Sequence, residues 1–182
     1  MKKKNIVLGV TGSIAAYKAC IIASQLMKEA YSVFVMMTRE AREFISPLTF
    51  QYLTQNPVAT DIFLEPREFN PAHTSLADKA DLIVVAPATA HSIGKIAHGL
   101  CDDIVTCTII ASSAPVLFAP AMNEKMYYNT MVQENIEKLK SLGYKFIGPV
   151  KGRLACGYTG MGHIAEPCDI VQEAKNLLAR KK

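Results

Sequence analysis

From one end to the other, the chain alternates between short apolar runs that stop at turn residues and stretches with helical spacing. Residues 6–10, 32–37, 81–86, 116–119 and 144–147 are the apolar runs, rich in Val, Ile, Leu, Phe and Met. Runs this short, bounded by turn signals, predict buried strands. After the first, the spacing turns helical from Ser13, with Ile14, Tyr17 and Ile21 on one face and Ile22 and Leu26 beside it. Ser13 is positioned as an N-cap. A short helix is expected after Thr38-Arg39, and further helices over 93–97, 104–111 and 130–142, the last closed by Gly143. Residues 47–71 read as irregular or weakly helical, punctuated by Pro47, Pro57, Pro66 and Pro71, and 148–162 as a glycine-rich loop before a final helix from about Pro167. Strands alternating with helices form a parallel sheet covered on both faces, the doubly wound α/β architecture, flavodoxin- or Rossmann-like in three layers. No repeat, low-complexity tract or linker interrupts the pattern, so one domain over 1–182 is expected.

Composition narrows the function classes. The chain has 182 residues, 50% hydrophobic and 20% charged, enough for a core that needs neither disulfide nor metal. No window is apolar for long enough to span a membrane. The apolar run behind the basic start is too short for a signal peptide. A cytoplasmic location is expected. The net charge is +4, with basic clusters at residues 2–4 and 180–182 that read as solvated tails. No nucleic-acid motif accompanies them, and the mildly positive surface suits a phosphorylated small molecule. The five cysteines are Cys20, Cys101, Cys107, Cys156 and Cys168, without Cys-x-x-Cys spacing, so no metal site is expected. Cys20, Cys101 and Cys107 fall in apolar stretches and read as small buried hydrophobes. Cys156 does not, lying in Gly152-Arg153-Leu154-Ala155-Cys156-Gly157 with Gly160 and Gly162 close behind.

In a doubly wound sheet, ligands bind beyond the carboxyl ends of the strands, and the chemically suggestive residues fall there. The first turn, Gly9-Val10-Thr11-Gly12-Ser13-Ile14, lacks the third glycine of a dinucleotide fingerprint. Thr38 stands at the end of the second strand, where an acidic residue would hold a ribose. Helix-start N–H groups with the hydroxyls of Ser13 and Thr38 suit one phosphate monoester, favouring FMN over NAD; the same turn also serves as an ordinary turn and cap. Pro87-Ala88-Thr89-Ala90-His91-Ser92 allows close approach of a flat ring or phosphate, or simply caps a helix through Thr89 or Ser92. His91 reads as a surface or cap-adjacent residue. After the fourth strand comes Pro120-Ala121-Met122-Asn123, then Met126. Asn123 suits a carboxylate or amide, with Met126 against a ring, and it also suits an N-cap; the two roles can coexist. His73, behind Pro71-Ala72, is either a general base or a solvated loop residue.

These segments together resemble the homo-oligomeric flavin-containing cysteine decarboxylases over nearly the whole chain. The most specific likeness is Pro120-Ala121-Met122-Asn123 with Met126, combined with Leu154-Ala155-Cys156-Gly157. The resemblance implies FMN held by Gly12, Ser13 and Ile14, by Thr38 and Arg39, by Thr89, Ala90, His91 and Ser92, and near Ala121. It implies His73 as the active-site histidine, Asn123 as the substrate-carboxylate contact, and residues 148–163 as a clamp carrying Cys156 as an acid. The implied substrate is 4′-phosphopantothenoylcysteine, made by a separate synthetase and converted to 4′-phosphopantetheine on the way to coenzyme A. The implied route is oxidation to a thioaldehyde, loss of carbon dioxide and reduction of the enethiol. A homotrimer or homododecamer with active sites at subunit contacts is expected. Two positions depart from the family pattern: His91 stands for Asn and Tyr127 for Trp. Rival readings are a peptidyl-cysteine oxidative decarboxylase, which has no need of the proton from Cys156, a flavin prenyltransferase, which lacks the Asn123 and Cys156 pairing, and a non-catalytic phosphatase regulatory subunit.

Overall fold

Alternating side chains along each strand divide the core into two halves, one on each face of a single parallel sheet. The structure, a computed structural model, describes residues 3–63 and 71–180. In chain order these form β1 (Asn5–Val10), α1 (Ala16–Lys28), β2 (Ser32–Met37), a 3-10 turn (Glu40–Glu43), α2 (Pro47–Thr54) and β3 (Val58–Ala59). There follow α3 (Ala72–Lys79), β4 (Leu82–Ala88), α4 (Ala90–Ala97), α5 (Ile104–Ala111) and β5 (Val116–Pro120). Last come α6 (Glu124–Tyr127), α7 (Thr130–Ser141), β6 (Lys145–Phe146), β7 (Val150–Arg153), β8 (Thr159–His163) and α8 (Pro167–Arg180). Pro66, Lys2, Lys181 and Lys182 lie outside the described residues.

The main sheet has the order β3-β2-β1-β4-β5-β6, every pairing parallel. This is the Rossmann order rather than the flavodoxin one. Leu8 is opposite Val35 on one side and Val84 on the other. Ile6, Leu8 and Val10 pack, with their neighbours on β2 and β4, against α1, Phe50 of α2, and α8. Val7, Ile83 and Val85 face the other way, toward α4, α5 and α7. Helix α1 lies close on the sheet because Ala16, Ala19 and Ala23 are small, and Ile22 and Leu26 fill the space beside them.

Several local expectations are revised. The face of Ile14, Tyr17 and Ile21 is exposed (60%, 54% and 43%), so α1 presents an apolar stripe outward as well as inward. Ser13 is not the cap of α1, which begins behind Ala15 with no side-chain cap; Ser13 Oγ instead accepts from Ala15 N at 3.3 Å inside a tight turn. The irregular region contains a regular helix, α2, capped by Ser46 with Pro47 at its start. The glycine-rich loop is an antiparallel hairpin of β7 and β8. Cys101 is exposed and precedes α5, whereas Cys20 and Cys107 are partly buried and burial pushes both thiols above their ordinary values. Gly143 does follow α7 in the left-handed region, at φ 94°.

Leu8 is fully buried at the centre of this arrangement. Leu8→Ala should cost about 3 kcal/mol, the usual range for a leucine truncated in a tight core. Urea denaturation checks this as a lowered midpoint at unchanged slope.

Candidate active site

The strand order reverses between β1 and β4, so the segments leaving their carboxyl ends diverge and open a crevice. A buried hydroxyl locks that opening. Thr11, fully buried, donates from Oγ1 to the Pro87 carbonyl at 2.8 Å and accepts from Thr89 N at 3.1 Å. Thr89 Oγ1 lies 3.3 Å from Thr11 Oγ1 and 3.1 Å from Ser92 Oγ, and it caps α4 by accepting from Ser92 N. The two strand ends are therefore held by a chain of small hydroxyl groups.

Two cavities lie above this network and share Ser13, Ala121 and Met122. The inner one, about 410 Å³, is lined by Gly12, Thr38, Thr89, Ala90, His91, Ser92 and Met126, all anticipated, and by Glu40. A Cβ on Gly12 would fall inside the Glu40 side chain, so the close approach of turn and 3-10 segment requires glycine. Thr38 is buried and its Oγ1 accepts from Ala41 N at 3.3 Å. The outer cavity, about 580 Å³, runs from Ile14, Tyr17 and Lys18 to Asn123 and to hairpin residues including Arg153 and Cys156. Arg39 and His73 line neither cavity. Arg39 is exposed; His73 sits in the first turn of α3, its Nδ1 buried with no hydrogen-bond partner among the described residues.

Asn123 is the N-cap foreseen for it. Its Oδ1 accepts from Lys125 N at 2.9 Å and caps α6, which turns the amide nitrogen toward the hairpin. Nδ2 then donates to Cys156 Sγ at 3.4 Å and to Tyr158 Oη at 3.1 Å. The hairpin rests on the start of α6 through three consecutive residues. Gly160 lies so close to the Glu124 carboxylate that a Cβ would stand 2.8 Å from it. Met161 N donates to Glu124 Oε1 at 2.8 Å, and Gly162 O accepts from Met122 N at 3.0 Å.

Several participants escaped sequence reasoning: Thr11, Glu40, Glu124, Tyr158, and a buried polar group on α1. Lys18 is buried at 8% exposure; its ammonium lies 3.0 Å from His163 Nε2 and 3.1 Å from Glu166 Oε1. With Lys18 donating, His163 accepts at Nε2 and carries its proton on Nδ1. The available signal was spacing: Lys18 stands four residues before Ile22, on the face α1 turns to the core.

Comparison with known proteins gives the family. The profile of the Flavoprotein family matches residues 1–179. The chain belongs to the Flavoprotein family. Among curated family relatives, it is 48% identical over 181 residues to the coenzyme A biosynthesis bifunctional protein CoaBC of Bacillus subtilis, covering 100% of this chain and 45% of that protein. It is 46% identical over 179 residues to a probable phosphopantothenoylcysteine decarboxylase of Streptococcus mutans, covering 96% of this chain and 99% of that one. The chain thus spans about half the length of the bifunctional relatives it matches. Among solved flavoproteins, a PPC decarboxylase cysteine-to-serine mutant complexed with pantothenoylaminoethenethiol superposes with a TM-score of 0.88 at 31% identity, covering 98% of this chain and 100% of that one. The FMN-dependent cysteine decarboxylase SpaF gives 0.87 at 28%, covering 97% and 96%.

Gly162 has φ 134°, and a Cβ there would collide with the Met122 carbonyl. Gly162→Ala should therefore unseat the hairpin while leaving the sheet intact. Amide exchange across residues 150–163 should accelerate by about tenfold or more, whereas β1 and β4 keep their protection.

Proposed function

We propose that this chain decarboxylates 4′-phosphopantothenoylcysteine to 4′-phosphopantetheine, with FMN as cofactor, in the making of coenzyme A. The observation that carries this reading is the contact of Asn123 with Cys156 above the shared wall of the two cavities. It joins a carboxylate-binding amide to a proton donor within one hydrogen bond. The higher identity to coenzyme A biosynthesis proteins than to SpaF supports the same choice of substrate.

The inner cavity fits FMN in its donor set. Ser13, Thr38, Thr89 and Ser92 offer hydroxyls near a helix start for a phosphate monoester, and Ala121, Met122 and Met126 offer an apolar surface for the ring. FMN, when bound there, would supply a reversible two-electron couple, which leaves the net reaction redox-neutral. The chain's residues supply the rest. Asn123 orients the substrate carboxylate through Nδ2, which must release one of its hairpin contacts to do so. The hairpin covers the outer cavity and excludes water while the reactive sulfur species exists. Carbon dioxide leaves, and Cys156 delivers the proton that takes its place on carbon.

His73 would serve as the active-site histidine of a second copy in a homotrimer or homododecamer. Its place outside the lining of both cavities, and the exposed Ile14 and Tyr17 on the wall of the outer one, support that arrangement. Arg39, exposed at the strand end, would reach the cofactor phosphate only on its arrival. A separate synthetase would supply the substrate. No helix among the described residues is long and apolar enough to cross a membrane, in keeping with a cytoplasmic enzyme.

Anaerobic incubation with phosphopantothenoylcysteine should yield carbon dioxide and 4′-phosphopantetheine, and release of the enethiol as final product would favour the peptidyl-cysteine reading instead. Cys156→Ser should still oxidise and decarboxylate the substrate but accumulate a product two hydrogens lighter, because a serine hydroxyl is a far weaker acid. Mass spectrometry of the quenched mixture distinguishes the two species. Asn123→Asp keeps the helix cap but opposes the substrate carboxylate with like charge, a cost of several kcal/mol. Turnover should fall by at least about 100-fold at unchanged thermal midpoint.

A further inference from the structure

The hairpin of β7 and β8 is tied to two different elements. On the side of α6 it is held by Met122 N to Gly162 O and by Met161 N to Glu124 Oε1, and its turn by Asn123 Nδ2 to Cys156 Sγ and Tyr158 Oη. Among the described residues, its one hydrogen bond to α1 runs from the Lys18 ammonium to His163 Nε2, at 3.0 Å. His163 is the last residue of β8, and behind it Ile164 and Ala165 enter the core. A tie at that place sets the angle at which the hairpin leaves the body. The ring is built in. Gly152, across the hairpin, lies so close that a Cβ would stand 2.9 Å from His163 Cβ and Cγ. Lys18 is fixed as well, because a buried ammonium needs partners, and its other one is the carboxylate of Glu166 at 3.1 Å. β7 is four residues long, so the turn that carries Cys156 stands roughly 13 Å from the base of the hairpin. A tilt of about 10° over that length displaces the turn by about 2 Å, and a misplacement of about 1 Å can cost about 100-fold in rate.

We infer that His163 is a positioning residue whose hydrogen bond from Lys18 fixes the angle of the hairpin and so keeps Cys156 over the reacting carbon. This rests on the decarboxylation proposed above, with Cys156 as its acid. Asn123 gives up one hairpin contact when it takes the substrate carboxylate, so the turn loses a tie in the steps that lead to proton delivery. The tie at His163 lies at the other end of the hairpin and is untouched by that exchange. In the delivery itself the S–H bond of Cys156 breaks and a C–H bond forms on the product carbon. Sulfur keeps the electron pair until solvent returns a proton, while His163 passes no proton and stays an acceptor. With the tie cut, the hairpin still pairs and still rests on α6, but it tilts, and the enethiol leaves before the thiol reaches it.

His163→Phe keeps a ring over Gly152 and offers Lys18 no acceptor, whereas His163→Gln offers an oxygen near the place of Nε2. In the Phe variant amide exchange across residues 150–163 should accelerate about tenfold, the effect of one hydrogen bond to a charged group. β1 and β4 should keep their protection. Substrate should still bleach the flavin, but the product two hydrogens lighter should take a several-fold larger share of quenched single-turnover mixtures, read by mass spectrometry. The Gln variant should restore both readouts. A role in stability alone would raise exchange without changing the product share, and that result overturns the inference, as does exchange equal to wild type. Lys18→Met cuts the same tie from the other side and removes a buried charge, a replacement that is often neutral or stabilising. It should give the same product share at a thermal midpoint no lower than wild type, which decides the matter even where His163→Phe does not fold. If wild type does not turn over phosphopantothenoylcysteine, the decarboxylase reading fails, and the exchange rates of the variants still decide whether His163 holds the hairpin.

Discussion

The reversal of strand order between β1 and β4 is the constraint on which the rest of the molecule depends. Strands on one side of that point send their connections to one face of the sheet, and strands on the other side to the opposite face. The carboxyl ends therefore part, and the gap between them has to be closed by something other than main chain. Here it is closed by Thr11, whose hydroxyl donates to Pro87 O and accepts from Thr89 N. A valine of the same shape would leave the buried Pro87 carbonyl and the part-buried Thr89 N without that partner, at a cost of about 1–3 kcal/mol for the buried group. The hydroxyls of Thr89 and Ser92 extend the same network into the cavity wall. The groups that would grip a phosphate are thus part of the device that holds the sheet together, and they are rigid for that reason.

The sheet was legible because its information is local. Residues 32–37 are apolar on both faces, as a strand covered on both sides must be, and the structure has β2 there without change of bounds. β4 extends beyond the expected 81–86 because Pro87 reads as a turn residue, yet its carbonyl accepts from Thr11 and Ala88 pairs with Pro120 in the sheet. The hairpin was invisible for a related reason. Glycine carries no alternation, and residues 160 and 162 are glycines because Glu124 and Met122 press against them, contacts between segments far apart in sequence, while Gly152 meets His163 across the hairpin itself. The face of Ile14, Tyr17 and Ile21 could not be read from spacing, which shows that apolar residues share a face but not which neighbour covers it.

The site divides along the same line. Gly12, Ser13, Thr38, Thr89, Ser92, Ala121 and Asn123 follow strands, and a rule about strand ends was enough to find them. Lys18, Glu124 and Tyr158 matter through partners 145, 37 and 35 residues away. No window along the sequence contains both members of such a pair. His73 is a third case: it was expected in a loop ahead of the helix, whereas it stands in the first turn of α3 with a buried Nδ1 that has no hydrogen-bond partner among the described residues.

The uneven rigidity of the two halves has a chemical use. The inner cavity stands on strand ends anchored by buried residues, Thr11, Thr38, Ser92 and Ala121, so its floor costs energy to change. The hairpin that carries Cys156 buries little: Val150, Lys151 and Arg153 are exposed, as is the whole turn from Ala155 to Tyr158. It is retained by a few polar contacts, Glu124 to Met161, Met122 to Gly162, and Lys18 to His163. Each net hydrogen bond of this kind is worth about 1 kcal/mol, more where a charge takes part, so the seat as a whole amounts to a few kcal/mol. A seat of that size permits local opening of the hairpin without disturbance of the sheet. On the proposed function, the cofactor would sit on the rigid strand ends, and the acid that has to admit substrate and let product go would sit on the hairpin.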